Sequence, residues 1–340
     1  MADAPAAIPE VSIIIPAHNA AGYLEVSLPA LKGSSFQDLE LLVVDDRSTD
    51  GTRDVAERNG ARVLTNAQES GQGGARNTGM GVARGAILMF LDADVVVHPD
   101  TVQRMREAFA QRPEIAAVFG SYDDEPADRS VVSTFKNLFH HHVHQKGAAD
   151  ATTFWTGCGA IRREVFERFG GFKKAGLELI EDIEYGHRLV DAGERIWLRP
   201  DIQVKHLKRW TLGGLVRTDV FLRGIPWTRM LLRRGSTEKD LNFTWRQKVC
   251  TVLACMVGPL GGQAGGMMAL GGSGLWWMLP VAAVVLVVWM NSGLFALFAR
   301  KRGVLFAVGC VPLLLLYYHY SVFSFVTGAV LHVAGGKRVA

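Results

Sequence analysis

The sequence predicts an α/β fold, a doubly wound and mainly parallel sheet, followed by an all-helical region of apolar residues. Short apolar runs alternate with helical patterns in the first part of the chain, which is typical of such a sheet. Further along, residues 249–299 and 303–336 contain no Asp, Glu, Lys or Arg. An apolar stretch of about 20 residues is long enough to cross a bilayer as a helix. We therefore expect a globular region followed by a membrane region.

Three apolar runs predict the first buried parallel strands, because each is too short for a helix. These runs are Val11–Pro16, Leu39–Val44 and Ala86–Leu91. The helical patterns between them are Gly22–Leu31, Thr52–Asn59, with Ser48 and Asp50 as candidate caps, and Gly74–Ala83. Ligands of such sheets collect at the carboxyl ends of the strands. The residues that follow each strand are therefore the candidates for a site.

Acidic residues follow two of these strands. Asp45 and Asp46 come after the second strand, and Asp92-Ala93-Asp94 comes after the third. Clustered carboxylates raise each other's pKa unless a cation or hydrogen-bond donors offset them. A divalent ion such as Mg²⁺ or Mn²⁺ offsets them and leaves positions for phosphate oxygens. Asp45 and Asp46 alone also fit a helix cap, whereas two acids directly after a fully apolar strand are harder to explain that way.

The charge of the chain is unevenly distributed. Residues 1–240 carry 30 basic and 33 acidic side chains, and residues 241–340 carry seven basic and no acidic ones. A uniformly soluble globule is therefore excluded. Nucleic-acid binding is disfavoured because the basic residues cluster beside the apolar stretches. The four cysteines are too few and too scattered for a disulfide framework or a zinc site.

Seven motifs in order resemble those of the inverting family 2 glycosyltransferases with a GT-A fold. They are IIIPAHN at 13–19, VVDDRSTDG at 43–51, GGARNTG at 73–79, LDAD at 91–94, WTGCGAIRRE at 155–164, FGGF at 169–172 and EDIE at 181–184. The resemblance covers residues 10–206. It implies a GT-A domain over residues 1–206 that uses a nucleotide-diphosphate sugar as the donor.

The resemblance also implies a role for each matching residue of the donor site. The residues expected to bind the nucleotide sugar are Pro16, Ala17, Asn19, Asp45, Asp46, Arg76, Asp92 and Ala93. Asp46 would recognise the base, and Arg76 would contact the nucleotide or the diphosphate. Independently, a glycine-rich turn entering a helix offers N–H groups and Arg offers a phosphate fork. Asp94 and His206 would hold the metal, Mg²⁺ or Mn²⁺, although a lone His is usually structural.

On the acceptor side, the resemblance makes Asp182 the general base, with Glu181 beside it. The alternative for this acidic pair is a helix N-terminus, where acids are favoured by the helix dipole. An acceptor loop is expected at Thr156, Gly157, Cys158 and Gly159, for which the alternative is a tight turn. Trp210 is also placed on the acceptor side. The processive polymer synthases have Gln where this chain has His206, which disfavours processive synthesis.

The membrane region is expected over residues 249–340, with about three spans at 249–271, 275–299 and 304–334. The last stretch could be one tilted helix or a hairpin of two. Residues 207–248 predict amphipathic helices in the membrane interface, and the alternative is a pair of surface helices with solvated basic faces. Basic residues at 300–302 and the absence of a signal peptide predict a multi-pass protein of the inner or plasma membrane with a cytoplasmic catalytic domain.

The function expected from these features is transfer of a sugar to a hydroxyl of a lipid or lipid-linked acceptor, as in glycolipid biosynthesis. Two alternatives stay open: a polyprenyl-phosphate sugar transferase, and a catalytically silent scaffold that binds nucleotide sugars in a membrane complex. A channel or transporter is disfavoured, because the apolar stretches have no Asp, Glu, Lys or Arg to mark an ion path. The sugar, the nucleotide, the acceptor and the oligomeric state do not follow from the sequence.

Overall fold

A computed structural model describes residues 8–68, 70–173, 179–235 and 244–335. The chain divides into two compact units. The first comprises Met1–Arg129 and Val143–Arg209, and the second comprises Ser130–His142 and Trp210–Ala340. The boundary therefore lies near the predicted end of the catalytic domain at residue 206, but a segment from the middle of the chain also belongs to the second unit.

In the described part of the first unit, nine strands form one mixed sheet. They are β1 (Val11–Ala17), β2 (Leu39–Asp45), β3 (Arg62–Thr65), β4 (Ile87–Leu91), β5 (Val95–Val97), β6 (Ile115–Tyr122), β7 (Asp150–Ala151), β8 (Cys158–Arg162) and β9 (Arg195–His206). Their order is β3-β2-β1-β4-β8-β6-β9-β5, with β7 also beside β9. Neighbours from β3 to β4 are parallel, and β8 is antiparallel to both β4 and β6.

Helices connect these strands. They are α1 (Ala21–Lys32), α2 (Thr52–Arg58), α3 (Gln72–Val82), α4 (Thr101–Gln111), α5 (Val131–Lys146), α6 (Arg163–Phe169) and α7 (Glu181–Asp191). The three predicted strands are confirmed to within one residue at each end. Every residue of β1 is buried, as expected for a parallel strand in the middle of a sheet. The doubly wound, mainly parallel arrangement is therefore confirmed, and the carboxyl ends of β1, β2 and β4 lie at one edge of the sheet.

The second unit is helical. After the first part of α5 it contains α8 (Leu212–Arg217), a π-helical segment (Thr218–Gly224), α9 (Ile225–Arg234), α10 (Trp245–Ala269), a 3₁₀ segment (Gly274–Trp277), α11 (Met278–Met290), α12 (Ser292–Arg302), α13 (Val304–Gly309) and α14 (Val311–Ala334). Asp219, in the π-helical segment, accepts hydrogen bonds from Lys136 at 2.7 and 2.8 Å and from the Tyr320 hydroxyl at 2.7 Å. This network ties α5, the π-helical segment and α14 together.

Two helices are long and apolar enough to cross a membrane, Trp245–Ala269 and Val304–Ala334. The second combines α13 and α14, on either side of Cys310, into one span of 31 residues, so the hairpin alternative does not apply to it. The predicted middle span differs from expectation, because Gly274–Met290 and Ser292–Arg302 are bent by 77°. The described helices therefore supply two candidate spans, or three if this bent pair crosses as one.

Candidate active site

Asp46 lies at the end of β2 and is held by three donors. Its Oδ1 accepts from Asn66 Nδ2 at 2.8 Å, and its Oδ2 accepts from Ser70 Oγ at 2.9 Å and from the Gly71 N–H at 2.6 Å. Burial alone would raise the pKa of Asp46, but these hydrogen bonds and the charge of Arg47 together lower it below its usual value. Asp46 is therefore a fixed, ionised acceptor at the rim of the sheet.

The loops that follow β1 and β2 are bonded to each other around Asn19. The Asn19 N–H donates to Ser48 Oγ at 3.0 Å, and its side-chain oxygen accepts from the Thr49 N–H at 2.8 Å. Asp45 accepts from the Ser48 N–H at 3.0 Å. The backbone of Asn19 has a positive φ of 49°, a conformation that Asn adopts more readily than most residues. The side chains of Asn19 and Asp45 thus serve to fix the loop geometry.

Pro16 and Ala17 are the last residues of β1. Ala17 is buried, and its carbonyl oxygen accepts from the Asp46 N–H at 2.8 Å. This bond links the end of β1 to the residue that follows β2.

Asp92 follows β4 and contacts Arg76 rather than solvent alone. Arg76 Nη2 donates to Asp92 Oδ1 at 2.8 Å, and Nη1 donates to Glu181 Oε1 at 2.8 Å. The Arg76 side chain is only 1% exposed. We expected Arg76 to contact a nucleotide or diphosphate. In this structure both of its terminal nitrogens instead face carboxylates of the protein.

Asp92 belongs to a cluster of negative charges. Burial raises its pKa, Arg76 acts in the opposite direction, and the charges of Asp94 and Asp182 raise it further, so that it lies above the usual value. Asp46 is separated from Asp92 by the strand β1, which corresponds to two strand spacings, about 10 Å. The carboxylates at the strand ends therefore form two groups, Asp46 beside Asp45, and Asp92 with Asp94 and Asp182.

Asp94 and His206 lie side by side, with Asp94 Oδ2 at 3.6 Å from His206 Nε2. The His206 ring is buried and stacks on Tyr122, with ring centroids 4.2 Å apart. Burial alone would raise the pKa of Asp94, but His206 and Lys208 lower it below its usual value. Ala93, between the two acids, packs against the hydrophobic core.

The pair formed by Asp94 and His206 fits a divalent ion. Neighbouring ligands of an octahedral ion lie about 3 Å apart, close to the observed separation. In the described ranges no group of three or more His, Cys, Asp and Glu side chains is arranged to hold a metal. Two protein ligands suffice for Mg²⁺ or Mn²⁺ when substrate phosphates and water complete the coordination.

Asp182 is in the first turn of α7, where the helix dipole favours a negative charge. Its Oδ2 accepts from the N–H of Thr156 at 3.2 Å and from the Thr156 hydroxyl at 3.1 Å. Its Oδ1 accepts from the Ile183 N–H at 2.8 Å. Asp182 is half-buried, whereas Glu181 is buried against Arg76. Of the two neighbours, Asp182 is the more exposed.

The remaining predicted acceptor residues differ from the expected loop. Cys158 and Gly159 start strand β8 and pair with Leu91 and Phe90 of β4. Cys158 is fully buried, and burial and then Asp92 raise the pKa of its thiol. A Cβ on Gly157 would collide with the ring of Trp155. These residues serve packing, and within this motif Thr156 alone bonds a predicted catalytic side chain.

Trp210 belongs to the second unit. It is buried, and its backbone N–H donates to Ser133 Oγ at 2.7 Å. Lys136 Nζ lies 6.0 Å from the centroid of its ring. These contacts account for its position inside that unit.

Sequence reasoning missed four residues that support the site. Asn66, Ser70 and Gly71 fix Asp46, and Tyr122 stacks on His206. The first three follow β3, and Tyr122 is the last residue of β6. The rule that ligand-binding residues follow parallel strands would have found the first three if β3 had been recognised, but its four residues are exposed at both ends, half-buried in the middle, and give no apolar run.

Comparison with known proteins agrees with this geometry. Residues 12–170 match the family model described as Glycosyl transferase family 2. A glycosyltransferase of Nostoc sp. is 35% identical over 127 residues, which are 34% of this chain and 37% of that protein. The UDP-Glc:alpha-D-GlcNAc-diphosphoundecaprenol beta-1,3-glucosyltransferase WfgD of Escherichia coli is 34% identical over 116 residues, 33% of this chain and 46% of that protein. The alignments thus span less than half the length of these two relatives.

Two further matches extend along the chain. The glycosyltransferase EpsJ of Bacillus subtilis is 31% identical over 203 residues, 56% of this chain and 58% of that protein. Among solved structures, the mannosyltransferase PcManGT of Pyrobaculum calidifontis, in complex with GDP-Man and Mn²⁺, has a TM-score of 0.54 at 21% identity, covering 98% of this chain and 89% of that one. Residues 12–170 are therefore a family 2 glycosyltransferase domain, and the fold is the GT-A fold.

Proposed function

We propose that the protein is a membrane-bound, inverting glycosyltransferase that moves a sugar from a nucleotide-diphosphate sugar to a hydroxyl of a lipid-associated acceptor. The observation that carries the proposal is Asp182. Its carboxylate is half-buried, is held by Thr156, and interacts electrostatically with Asp92 at the end of β4. A base in that position can take a proton from an acceptor hydroxyl while the donor lies along the strand ends.

The donor would lie across the ends of β2, β1 and β4. Asp46 is suited to a base N–H because it is ionised and oriented by Asn66, Ser70 and Gly71. The diphosphate would then extend about two strand spacings, roughly 10 Å, toward Asp94. Asp92 would face the sugar.

Asp94 and His206 would hold the divalent ion. When bound, such an ion offsets the negative charge that develops on the leaving diphosphate. A carboxylate suits both Mg²⁺ and Mn²⁺, and the imidazole favours Mn²⁺ over Mg²⁺. Stacking on Tyr122 keeps the His206 ring in one orientation, with Nε2 toward Asp94.

The acceptor base would be Asp182 rather than Glu181. Both oxygens of Asp182 accept hydrogen bonds from backbone N–H groups, which orient the carboxylate and leave its remaining lone pairs available. Glu181 bonds Arg76 instead and is buried. Direct attack by the deprotonated hydroxyl on the anomeric carbon, opposite the diphosphate, inverts the configuration at that carbon.

The membrane part of the proposal is supported by the second unit. It has two helices that satisfy the length and composition of a span. Segments α8 to α9 expose Leu212 and Phe221 together with arginines such as Arg217, a combination suited to a membrane interface. Basic residues at 300–302 favour a cytoplasmic location for that end of α12. A lipid-linked acceptor would then reach the catalytic unit from the inner or plasma membrane.

The test uses the full-length protein in lipid nanodiscs with Mn²⁺ and a panel of nucleotide sugars. Acceptors are a lipid extract, a glycolipid with free hydroxyls, or a polyprenyl phosphate, and both nucleoside diphosphate and glycosylated lipid are measured. We expect Asp182→Asn to lower transfer by about 10²–10⁴-fold. The matched control is Glu184→Gln, in the same turn of α7 but paired with Arg188.

Three results decide between the functions. Transfer to a hydroxyl that requires Asp182 supports the proposal. Transfer to the polyprenyl phosphate alone would replace it with the phosphate-acceptor alternative. If the wild-type protein binds a nucleoside diphosphate but transfers no sugar to any acceptor, it is a nucleotide-sugar-binding scaffold.

A further inference from the structure

We propose that Arg76 is a positioning residue that connects the donor and acceptor sides of the site. It would hold Asp92, at the end of β4, and Glu181, at the start of α7, in one fixed arrangement, and so set the position of Asp182. The inference rests on the function proposed above. It gives Arg76 a role through other residues in place of direct contact with the diphosphate.

The contacts of Arg76 carry the first step. Its guanidinium donates to Glu181 and to Asp92, each at 2.8 Å, and Nη2 also lies 3.4 Å from Gln72 Oε1. The side chain is 1% exposed. Because the side chain is almost fully buried beside these carboxylates, a diphosphate could reach the guanidinium only if one of them moved.

A second contact from the same helix supports this positioning role. Asn77 Nδ2 donates to the Phe172 carbonyl at 2.8 Å, and the Phe172 N–H donates back to Asn77 Oδ1 at 2.8 Å. A Cβ on Gly73 would lie 3.2 Å from Glu181 Cγ. Helix α3 therefore fixes the chain before α7 through Asn77 and the start of α7 through Arg76. The glycine-rich motif at 73–79 thus acts on the acceptor side of the site as well as the donor side.

Burial of Arg76 with its two carboxylates costs free energy of folding, which points to a functional role. Burial of a charged triad needs good partners for every polar atom. Within the described part of the chain, Arg76 Nε and Glu181 Oε2 are buried and have no hydrogen-bond partner. Buried polar atoms without partners are rare in proteins and call for an explanation. We attribute these two atoms without partners to the positioning role. Helix α7 sets the position of Glu181, and Arg76 lies where it can contact both carboxylates.

The consequence for catalysis is geometric. A shift of about 1 Å in a reacting group can lower the rate by about 10²-fold. Lys in place of Arg76 keeps the charge but cannot donate to two carboxylates as a planar fork. We therefore expect Arg76→Lys to lower kcat by roughly 10–100-fold. Binding of a nucleoside diphosphate with Mn²⁺ should change by less than about threefold, since Asp46, Asp94 and His206 are untouched.

The experiment measures kcat, KM and nucleoside diphosphate affinity for full-length wild type, Arg76→Lys, Glu181→Gln and the double variant. If Arg76 acts through Glu181, the double variant should lose about as much kcat as either single variant, because residues that act as a unit are not additive. The control is Arg84→Lys, which alters the part-exposed ion pair of Arg84 with Glu40 and should leave kcat unchanged. If Arg76→Lys does not fold, Glu181→Gln should still show the loss of kcat with unchanged nucleotide affinity.

Two results would overturn the inference while the proposed function stands. The first is a fall in nucleoside diphosphate affinity in Arg76→Lys as large as its fall in kcat/KM, which would make Arg76 a direct donor contact. The second is a loss of kcat in the double variant that equals the product of the losses in the two single variants. Absence of transfer by the wild-type protein would instead count against the proposed function.

Discussion

The carboxylate of Asp94 and the imidazole of His206 meet because their strands pair. Strand β5 is antiparallel to the end of β9, and Val95 lies opposite His206 in that ladder. The Leu207 N–H donates to the Asp94 carbonyl at 2.8 Å, one step beyond the pair. The 3.6 Å separation of the two side chains is therefore set by backbone register, which fixes the pair at the place where we propose that an ion binds.

Removal of either member of this pair should abolish metal-dependent activity. We expect Asp94→Asn and His206→Ala each to lower nucleoside diphosphate release by at least about 10²-fold, because the charge on the leaving group is no longer offset. In wild type, a chelator should stop release and added Mn²⁺ should restore it. The measurement is release of nucleoside diphosphate at a series of Mn²⁺ concentrations.

The control for the metal prediction is His98→Gln. His98 Nε2 lies 3.4 Å from Asp123 Oδ2, a pair of the same type that follows the other end of β5. This variant should keep the Mn²⁺ dependence of wild type. Full activity of His206→Ala at the same Mn²⁺ concentration would remove His206 from the metal site.

Asp46 should contribute to stability in a pH-dependent manner. Its folded-state pKa is lowered, so its contribution is fully present above the unfolded value of about 3.9 and is lost as pH falls through the folded pKa. Asp46→Asn should therefore lower the free energy of unfolding by about 1–3 kcal/mol near neutral pH. The difference from wild type should shrink below about pH 4.

The measurement is denaturant unfolding of the full-length protein in detergent between pH 7 and pH 3 for wild type and Asp46→Asn. The exposed carboxylate of Asp54, on α2, offers a matched control as Asp54→Asn, which should differ little from wild type. A difference for Asp46→Asn that grows as the pH falls would contradict the hydrogen-bonded, ionised state of Asp46.

The sequence was sufficient for the parts of the fold that depend on local pattern. The ends of β1, β2 and β4 follow to within one residue from mainly apolar runs, and the meeting of their carboxyl ends at one edge follows from the topology of parallel sheets. The partners of Arg76 could not be predicted in the same way. Glu181 is distant in sequence, and a guanidinium binds a carboxylate and a phosphate equally well, so the motif alone cannot choose between them.

Two other features needed the three-dimensional structure. Residues 158–162 form a strand because β8 fills the place between β4 and β6, and glycines in a short run do not indicate that. The bend between α11 and α12 occurs at Asn291, within a stretch that carries no charge. Composition reports whether a stretch is apolar enough to cross a membrane, but it does not report the direction of its axis.

Cys158 should behave as a core residue. It is fully buried opposite Leu91, and burial raises the pKa of its thiol, so little thiolate is available for reaction. We expect Cys158 to resist maleimide in the native protein and to react after unfolding, as measured by peptide mass spectrometry. Cys158→Ala should keep transfer activity within about threefold and lower stability by about 1 kcal/mol, the cost of a small cavity. Rapid native labelling that acceptor lipid prevents would instead place Cys158 at the acceptor.

Helix α9 and helix α14 should be sensitive to any added side chain where they cross. A Cβ on Gly328 would lie 2.7 Å from Thr228 Cβ, and one on Gly224 would lie 2.7 Å from Ser324 Cβ. Small residues four positions apart on both helices thus allow close backbone contact, as in helix pairs of membranes. Gly328→Val should destabilise the protein by about 1–3 kcal/mol through overpacking.

The matched control is Gly258→Val, in α10, where an added Cβ meets no atom within 4 Å. Thermal unfolding of both variants in the same detergent compares them directly. A loss of stability in Gly258→Val as large as that in Gly328→Val would mean that valine in an apolar helix is itself the cause. A loss confined to Gly328→Val assigns it to the close contact between α9 and α14.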